Sequence, residues 1–438
     1  MIKRNYNLGS LFAVFLIFTS CKNFSTATDK NISAPTSGTA SGSSATAANP
    51  DRKQIIKLDK KKQSDLDLPF RGFDYDKKIT TLALGSSANQ NLPQPIWKII
   101  EQSKPDLFLF AGDTVTLSSD GRTETKLLAP QFKKLNMVAE FRSLREKIPF
   151  LTVWNNSDFG MNYSGGDNPD KELRRTEFIK YWSYLQTALP QGQKALYHAK
   201  IFGPKKQKVQ IIMLDTRWDR SPLKKNPEDH LAMPTSIPSP TPQNSTEKLM
   251  PLEKSGSSAA VDATTKPAEL VPEIVSYPQP FLSDDDKSKH FLTEEQWTWL
   301  ENELKKPSEL KFLVSSIQVI PNDHHFEKWG NFPAERERLF RLLIKTKAKN
   351  LILLSGDRHL GAIAKLEVKK LGPIFEMTSS GLNGNFEKNK VLADMTYLKD
   401  AYAKPNFGLV KINWEKRKVI LEIHSETDEV KDSAEISF

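Results

Sequence analysis

Four short runs carry residue types that can hold and work a metal ion: Gly85-Ser86-Ser87, Gly112-Asp113, Asn155-Asn156-Ser157-Asp158 and Gly356-Asp357-Arg358-His359. Each follows an apolar stretch, so each puts its polar groups at a strand exit. Carboxylates, amides and an imidazole gathered at such exits are what a two-metal hydrolase draws on. One carboxylate bridges both ions, the others complete each shell, and the ions polarise the reacting group and acidify a water. Glycine at the turn lets the backbone come close to an ion. Taken singly the residues have ordinary readings as well: Asp113 as a turn aspartate, His359 as a histidine bonded to a backbone carbonyl. Repetition across four exits favours the chemistry.

The elements that must position these groups are legible around them. Leu107 to Ala111 form an unbroken apolar run leading into Gly112-Asp113, the pattern of a strand buried on both faces of a parallel sheet. In open α/β sheets the carboxyl edge is where ligands collect. Similar runs precede the other exits, at 79–84, 148–154 and 350–354. Residues 195–202 and 209–214 read as a strand pair, the second leading into Asp215-Thr216-Arg217. Helices are expected at 95–102, opened by proline, at 126–147, at 171–189, at 334–347 and after Thr293, a good N-cap. Further strands are expected at 310–317, 361–368, 408–414 and 419–424. Trp297, Trp299 and Leu300 read as core and rim residues, Trp329 as lining the site mouth or as packing, and His198 and His424 as strand residues without a functional role. Residues 222–290, dominated by Pro, Ser, Thr and Lys, read as a low-complexity insertion. Alternating strands and helices with a strand-rich end suggest two packed sheets with helices outside.

At 438 residues and 38% hydrophobic, the chain can bury a large core. Lys3 and Arg4, the apolar run 11–18 and Thr19-Ser20-Cys21 read as an export signal too short to span a membrane permanently. Removing residues 1–20, which hold those two cations and no acids, lowers the formal charge from +10 by two, to +8. The remaining basic residues are interspersed with acidic ones, so nucleic-acid binding is not expected as a primary role. Cys21 is the only cysteine, which excludes an intrachain disulfide. The stretch resembles a bacterial lipoprotein signal, with Cys21 lipidated and residues 21–75 a polar tether; the other reading is a plain secretory signal with a chance cysteine.

Read in order, GSSANQ, PDLFLFAGD, WNNSDFG, VQIIMLDTRWDRSPL, QWTWLENEL, SSIQV, EKWGNFPAERERLF, LSGDRHL and TSSGLN resemble the PhoD-like alkaline phosphatases, within the calcineurin-like metallophosphoesterases. The resemblance implies an α/β/β/α four-layer sandwich over residues 76–438 and a phosphoesterase site acting on phosphomonoesters or diesters of small molecules or polymers. It implies metal ligation by Asp113, Asn156, Asp357 and His359, a divalent cofactor (Ca, Mn or Fe; one ion, two or none), and Arg217 and Arg358 facing phosphate or bracing the metal's shell. The departures fall on chemistry. Ser87 stands where the family has a cysteine ligand, and Ser157 where it has the histidine that protonates the leaving group. Thr116 replaces a tyrosine, and His324 and His325 have no clear ligand role. A serine is a poor ligand at neutral pH and no general acid there. Two functions stay open: a weak metal-dependent phosphoesterase anchored in the cell envelope, or an inactive relative serving as a surface binding lipoprotein.

Overall fold

The apolar run Leu107–Ala111 sends alternate side chains to opposite faces, and every one of the five is buried. Phe108 and Phe110 pack on Trp97, with ring centroids 5.3 and 6.0 Å apart, and Trp97 in turn meets Phe141. Each such buried ring contributes about 1.5–3 kcal/mol, so this strand is the firmest part of the core.

The structure is a computed structural model that describes residues 70–117, 127–160, 163–227, 280–384 and 393–438. The expected signal, Cys21 and most of the tether lie outside the described residues, as does the middle of the expected insertion, 228–279. From the amino side the elements are β1 (Thr81–Gly85), α1 (Ile96–Gln102), β2 (Leu107–Ala111), α2 (Leu128–Met137), α3 (Ala139–Lys147), β3 (Phe150–Val153), α4 (Asn156–Phe159), α5 (Lys171–Tyr181) and α6 (Leu185–Ala188). They continue with β4 (His198–Phe202), β5 (Val209–Met213), β6 (Lys224–Lys225), β7 (Phe281–Leu282), α7 (Glu294–Lys305), β8 (Leu310–Ser315), α8 (Pro333–Lys345) and β9 (Leu351–Ser355). The last five are strands: β10 (Gly361–Val368), β11 (Gly372–Ser379), β12 (Asn406–Asn413), β13 (Lys418–Ser425) and β14 (Val430–Ser437).

These build two six-stranded sheets, ordered β14-β13-β12-β1-β2-β3 and β10-β11-β9-β8-β5-β4. In each, the strands nearest the chemistry are parallel: β1, β2 and β3 in the first, β5, β8, β9 and β11 in the second. Alternation along the second sheet separates two cores. Ile211, Met213, Phe312, Val314, Ile352 and Leu354 join the core shared with the first sheet. Ile212, Leu214, Leu313, Leu351 and Leu353 join Trp297 and Leu300 of α7 and Leu339 and Leu343 of α8. The architecture is therefore mixed α/β, with two facing sheets and helices on the outer sides.

The differences from the sequence reading have local causes. The stretch 126–147 is two helices, because Val138 is extended (φ −71°, ψ 109°) and ends the first before starting the second. Helix 171–189 stops at Tyr181, where Trp182 leaves helical backbone and turns into the core. Strand β14 went unread because its sequence, VKDSAEIS, is polar along an exposed edge. The expected insertion is narrower than 222–290: its flanks form an antiparallel ribbon, with Lys224 paired to Leu282 and Lys225 to Phe281.

Candidate active site

Parallel pairing places the carboxyl ends of β1, β2 and β3 side by side, and β9 brings the other sheet's exit against them. Two glycines permit the approach. A Cβ on Gly356 would lie 2.4 Å from Ser86 Oγ and 2.8 Å from the Ala111 carbonyl oxygen. A Cβ on Gly112, whose φ is +88°, would lie 2.5 Å from Asn155 Cβ. Gly112→Ala is therefore expected to cost about 2–4 kcal/mol in urea unfolding, combining left-handed strain with overpacking. An unchanged midpoint would mean the two exits are not held this close.

Asp113 follows β2, Asn155 follows β3 and Asp357 follows β9, and the three meet. The Asn155 amide nitrogen donates to Asp113 Oδ2 and to Asp357 Oδ1, both at 2.8 Å. Its oxygen accepts from Arg217, at 3.0 Å from Nε and 2.5 Å from the second terminal nitrogen. Two donors and two acceptor lone pairs are thus all in use, which fixes the amide's orientation. Asp113 Oδ1 accepts from the Ser157 backbone N–H at 2.8 Å, and Ser87 Oγ lies 3.3 Å from Asp113 Oδ2.

Behind this cluster the Arg217 guanidinium donates twice to Glu327, at 2.8 Å each, and Arg220 adds a contact to Glu327 at 3.2 Å; all three side chains are fully buried. Burial opposes the Arg217 charge, but Glu327 and Asp357 hold its pKa above the usual value, whereas burial pulls Arg220 down to about 10. Burial raises Asp113, and burial together with the charges of Glu327 and Asp113 pushes Asp357 up to about 7. Asp158 also rises to about 7, by burial and the neighbouring Asp113 charge, while accepting from the Thr114 N–H and hydroxyl and the Asn155 N–H.

Apart from Cys21, each expected site residue has a definite place. Asp113, Asp357 and Ser87 join the cluster around Asn155. Asn156 is adjacent, with its oxygen accepting from the Ser157 N–H. Ser157 contributes its backbone rather than an acid. His359 is half-buried, on left-handed backbone at φ 54°. Arg217 faces Asn155 and Glu327, and Arg358 lies over the Phe326 ring at 4.5 Å. Sequence reasoning missed three participants. Asn155 was passed over for its neighbour, and Glu327 and Arg220 sit within motif words that reveal nothing about a buried ion pair. Asp215 is a brace: it accepts from Trp154 Nε1 and from the Leu196, Arg217 and Trp218 N–H groups.

These residues do not fit a two-metal centre. Among the described residues no three His, Cys, Asp or Glu side chains are grouped to hold an ion. Asp113 and Asp357, which would hold such an ion, instead receive the N–H bonds of Asn155, whose oxygen is held by Arg217.

The family model and the solved structure of PhoD agree on the fold. The PhoD-like phosphatase family model matches residues 84–430. The solved structure of PhoD superposes with a TM-score of 0.54 at 16% identity, over 83% of this chain and 69% of that one. Purple acid phosphatase PPD1 from yellow lupin (Lupinus luteus) seeds gives 0.49 at 10% identity, over 83% and 55%. None of the curated proteins matches the sequence.

Proposed function

We propose a function from one premise: the chain belongs to the PhoD-like phosphatase family. Within that family we read it as an inactive relative, a pseudophosphatase whose strand-exit site is closed internally and which serves as a binding lipoprotein held in the cell envelope through Cys21. The observation that carries the reading is the Asn155 amide, which satisfies Asp113 and Asp357 together and is locked by Arg217. Two further features support it: Ser157 supplies no proton for a leaving group, and Ser87 no thiolate. Among the described residues no helix is long and apolar enough to cross a membrane.

A second reading, weak metal-dependent hydrolysis of phosphomonoesters or diesters, draws on the backbone. Ser87, Asp113, Asp357 and His359 all keep left-handed φ values, 57°, 52°, 69° and 54°. Such strain at four residues on three strand exits is typical of functional sites.

Metal content separates the two. The full chain, produced with iron, calcium and manganese available, is expected to carry less than one equivalent of metal by mass spectrometry and to leave aryl phosphate and bis-aryl phosphate intact. Two equivalents with measurable turnover would overturn the inactive reading. One equivalent, with turnover raised by Ser87→Cys and Ser157→His together, would install the second reading in its place.

A further inference from the structure

Away from the strand exits, a cleft of 340 Å³ opens between the β6–β7 ribbon, the loop before α8 and the first turns of α8. Its volume is that of a small-ligand pocket. Phe281, Pro333 and Phe340 give it an apolar wall, Lys328 and Arg336 line it with cationic groups, and His325, kept neutral by burial and the Lys328 charge, lines it together with the Glu337 carboxylate.

Two side chains there are buried with hydrogen-bonding capacity unspent. Lys328 is 6% exposed, and its ammonium donates to the His324 backbone carbonyl rather than to a carboxylate. Burial, with the Arg358 charge, lowers its pKa to about 8, which leaves it mostly charged at neutral pH. Asp394 and Asp323 offset part of this charge without pairing to the ammonium, so an anion in the cleft would stabilise it further. His324 is 2% exposed. Its Nε2 faces the Gln318 oxygen at 3.0 Å, while the Gln318 nitrogen is directed to Thr378 Oγ1 and the Tyr397 hydroxyl. Nε2 is therefore the donor, and Nδ1 keeps a lone pair that nothing among the described residues satisfies.

Arg336 adds a guanidinium anchored by its bonds to the Val319 and Ile320 carbonyls and laid over the Phe340 ring at 5.1 Å. The side chain is held in place, which lowers the entropy lost on binding.

We infer that this cleft is a binding site for a small organic anion, a phosphate ester or carboxylate on an apolar body of about one ring. Lys328 and Arg336 take the anionic group, and Phe281 and Phe340 the ring. The site does not require that the strand-exit cluster turn over phosphoesters, although the charge of Arg358, beside Asp357, acts on both Lys328 and His324.

The test is calorimetric titration of the full chain with phenyl phosphate, 4-hydroxybenzoate and inorganic phosphate, with EDTA present throughout. One saturable site is expected, with the better aryl anion binding about tenfold more tightly than inorganic phosphate because of the apolar wall. Which aryl anion wins identifies the group the cations prefer. Lys328→Met is expected to weaken that binding at least tenfold, and Asp357→Asn to change it less than twofold. If Lys328→Met does not fold, Phe340→Ala serves instead, and loss of the aryl preference is expected. No saturation at millimolar ligand overturns the inference, as does binding that survives both pocket variants or disappears with Asp357→Asn. Binding to phosphatidylglycerol vesicles without any to the soluble probes overturns it in favour of a lipid surface.

Discussion

Replacing Arg217 with methionine is expected to lower the unfolding free energy by about 3–5 kcal/mol, the usual cost of removing one partner from a buried ion pair. The methionine fills much of the volume, so the loss is electrostatic. Glu327 would be left with Arg220 alone, and the Asn155 oxygen would lose both of its donors. Asp113 and Asp357 would lose the nearby positive charge that favours their ionised forms. Urea unfolding of the full chain, followed by tryptophan fluorescence, reads the effect. A loss under about 1 kcal/mol, the range of an exposed pair, would show that the Arg217–Glu327 contact is solvated and structurally minor. The double variant Arg217→Met/Glu327→Gln is expected to recover part of the loss, because the stranded carboxylate is removed along with its partner.

Asn155→Asp is expected to convert the cluster into a cation site. The substitution replaces an N–H donor with an oxygen in the gap between Asp113 and Asp357, so three carboxylates would face one another at hydrogen-bond distance. Without metal the variant should be destabilised by several kcal/mol, since like charges cannot remain ionised together at that separation, and protons must be taken up instead. With manganese or calcium at one hundred times the dissociation constant, binding returns about 2.7 kcal/mol through mass action. The measurement is thermal unfolding with and without each metal, together with metal content by mass spectrometry. The native chain should show no metal-dependent shift, whereas Asn155→Asp should show one that EDTA reverses. If both respond equally, Asn155 is not what closes the site, and the inactive reading weakens with it.

Much of this architecture was legible in the residues. The unbroken apolar run before Asp113, and the similar ones before Ser87, Asn155 and Asp357, located the strands and hence the common edge, because only doubly buried parallel strands carry such runs. The choice between Asn155 and Asn156 was not legible. It depends on where the short helix α4 begins, and adjacent residues at a helix start point in different directions. Glu327 was out of reach for another reason: its partner Arg217 is 110 positions away, and no local pattern distinguishes a buried acid in a loop from a solvated one. The lone pair on His324 depends on side-chain orientation in Gln318, which sequence does not encode at short range.

The β6–β7 ribbon has a consequence for how this chain can change. It brings Lys225 and Phe281 into register, so the two flanks of residues 228–279 lie side by side. For a flexible loop between ends held this way, closure costs about 0.6 kcal/mol more for each doubling in length. The ribbon is a socket: an engineer can graft there a module whose two termini lie side by side.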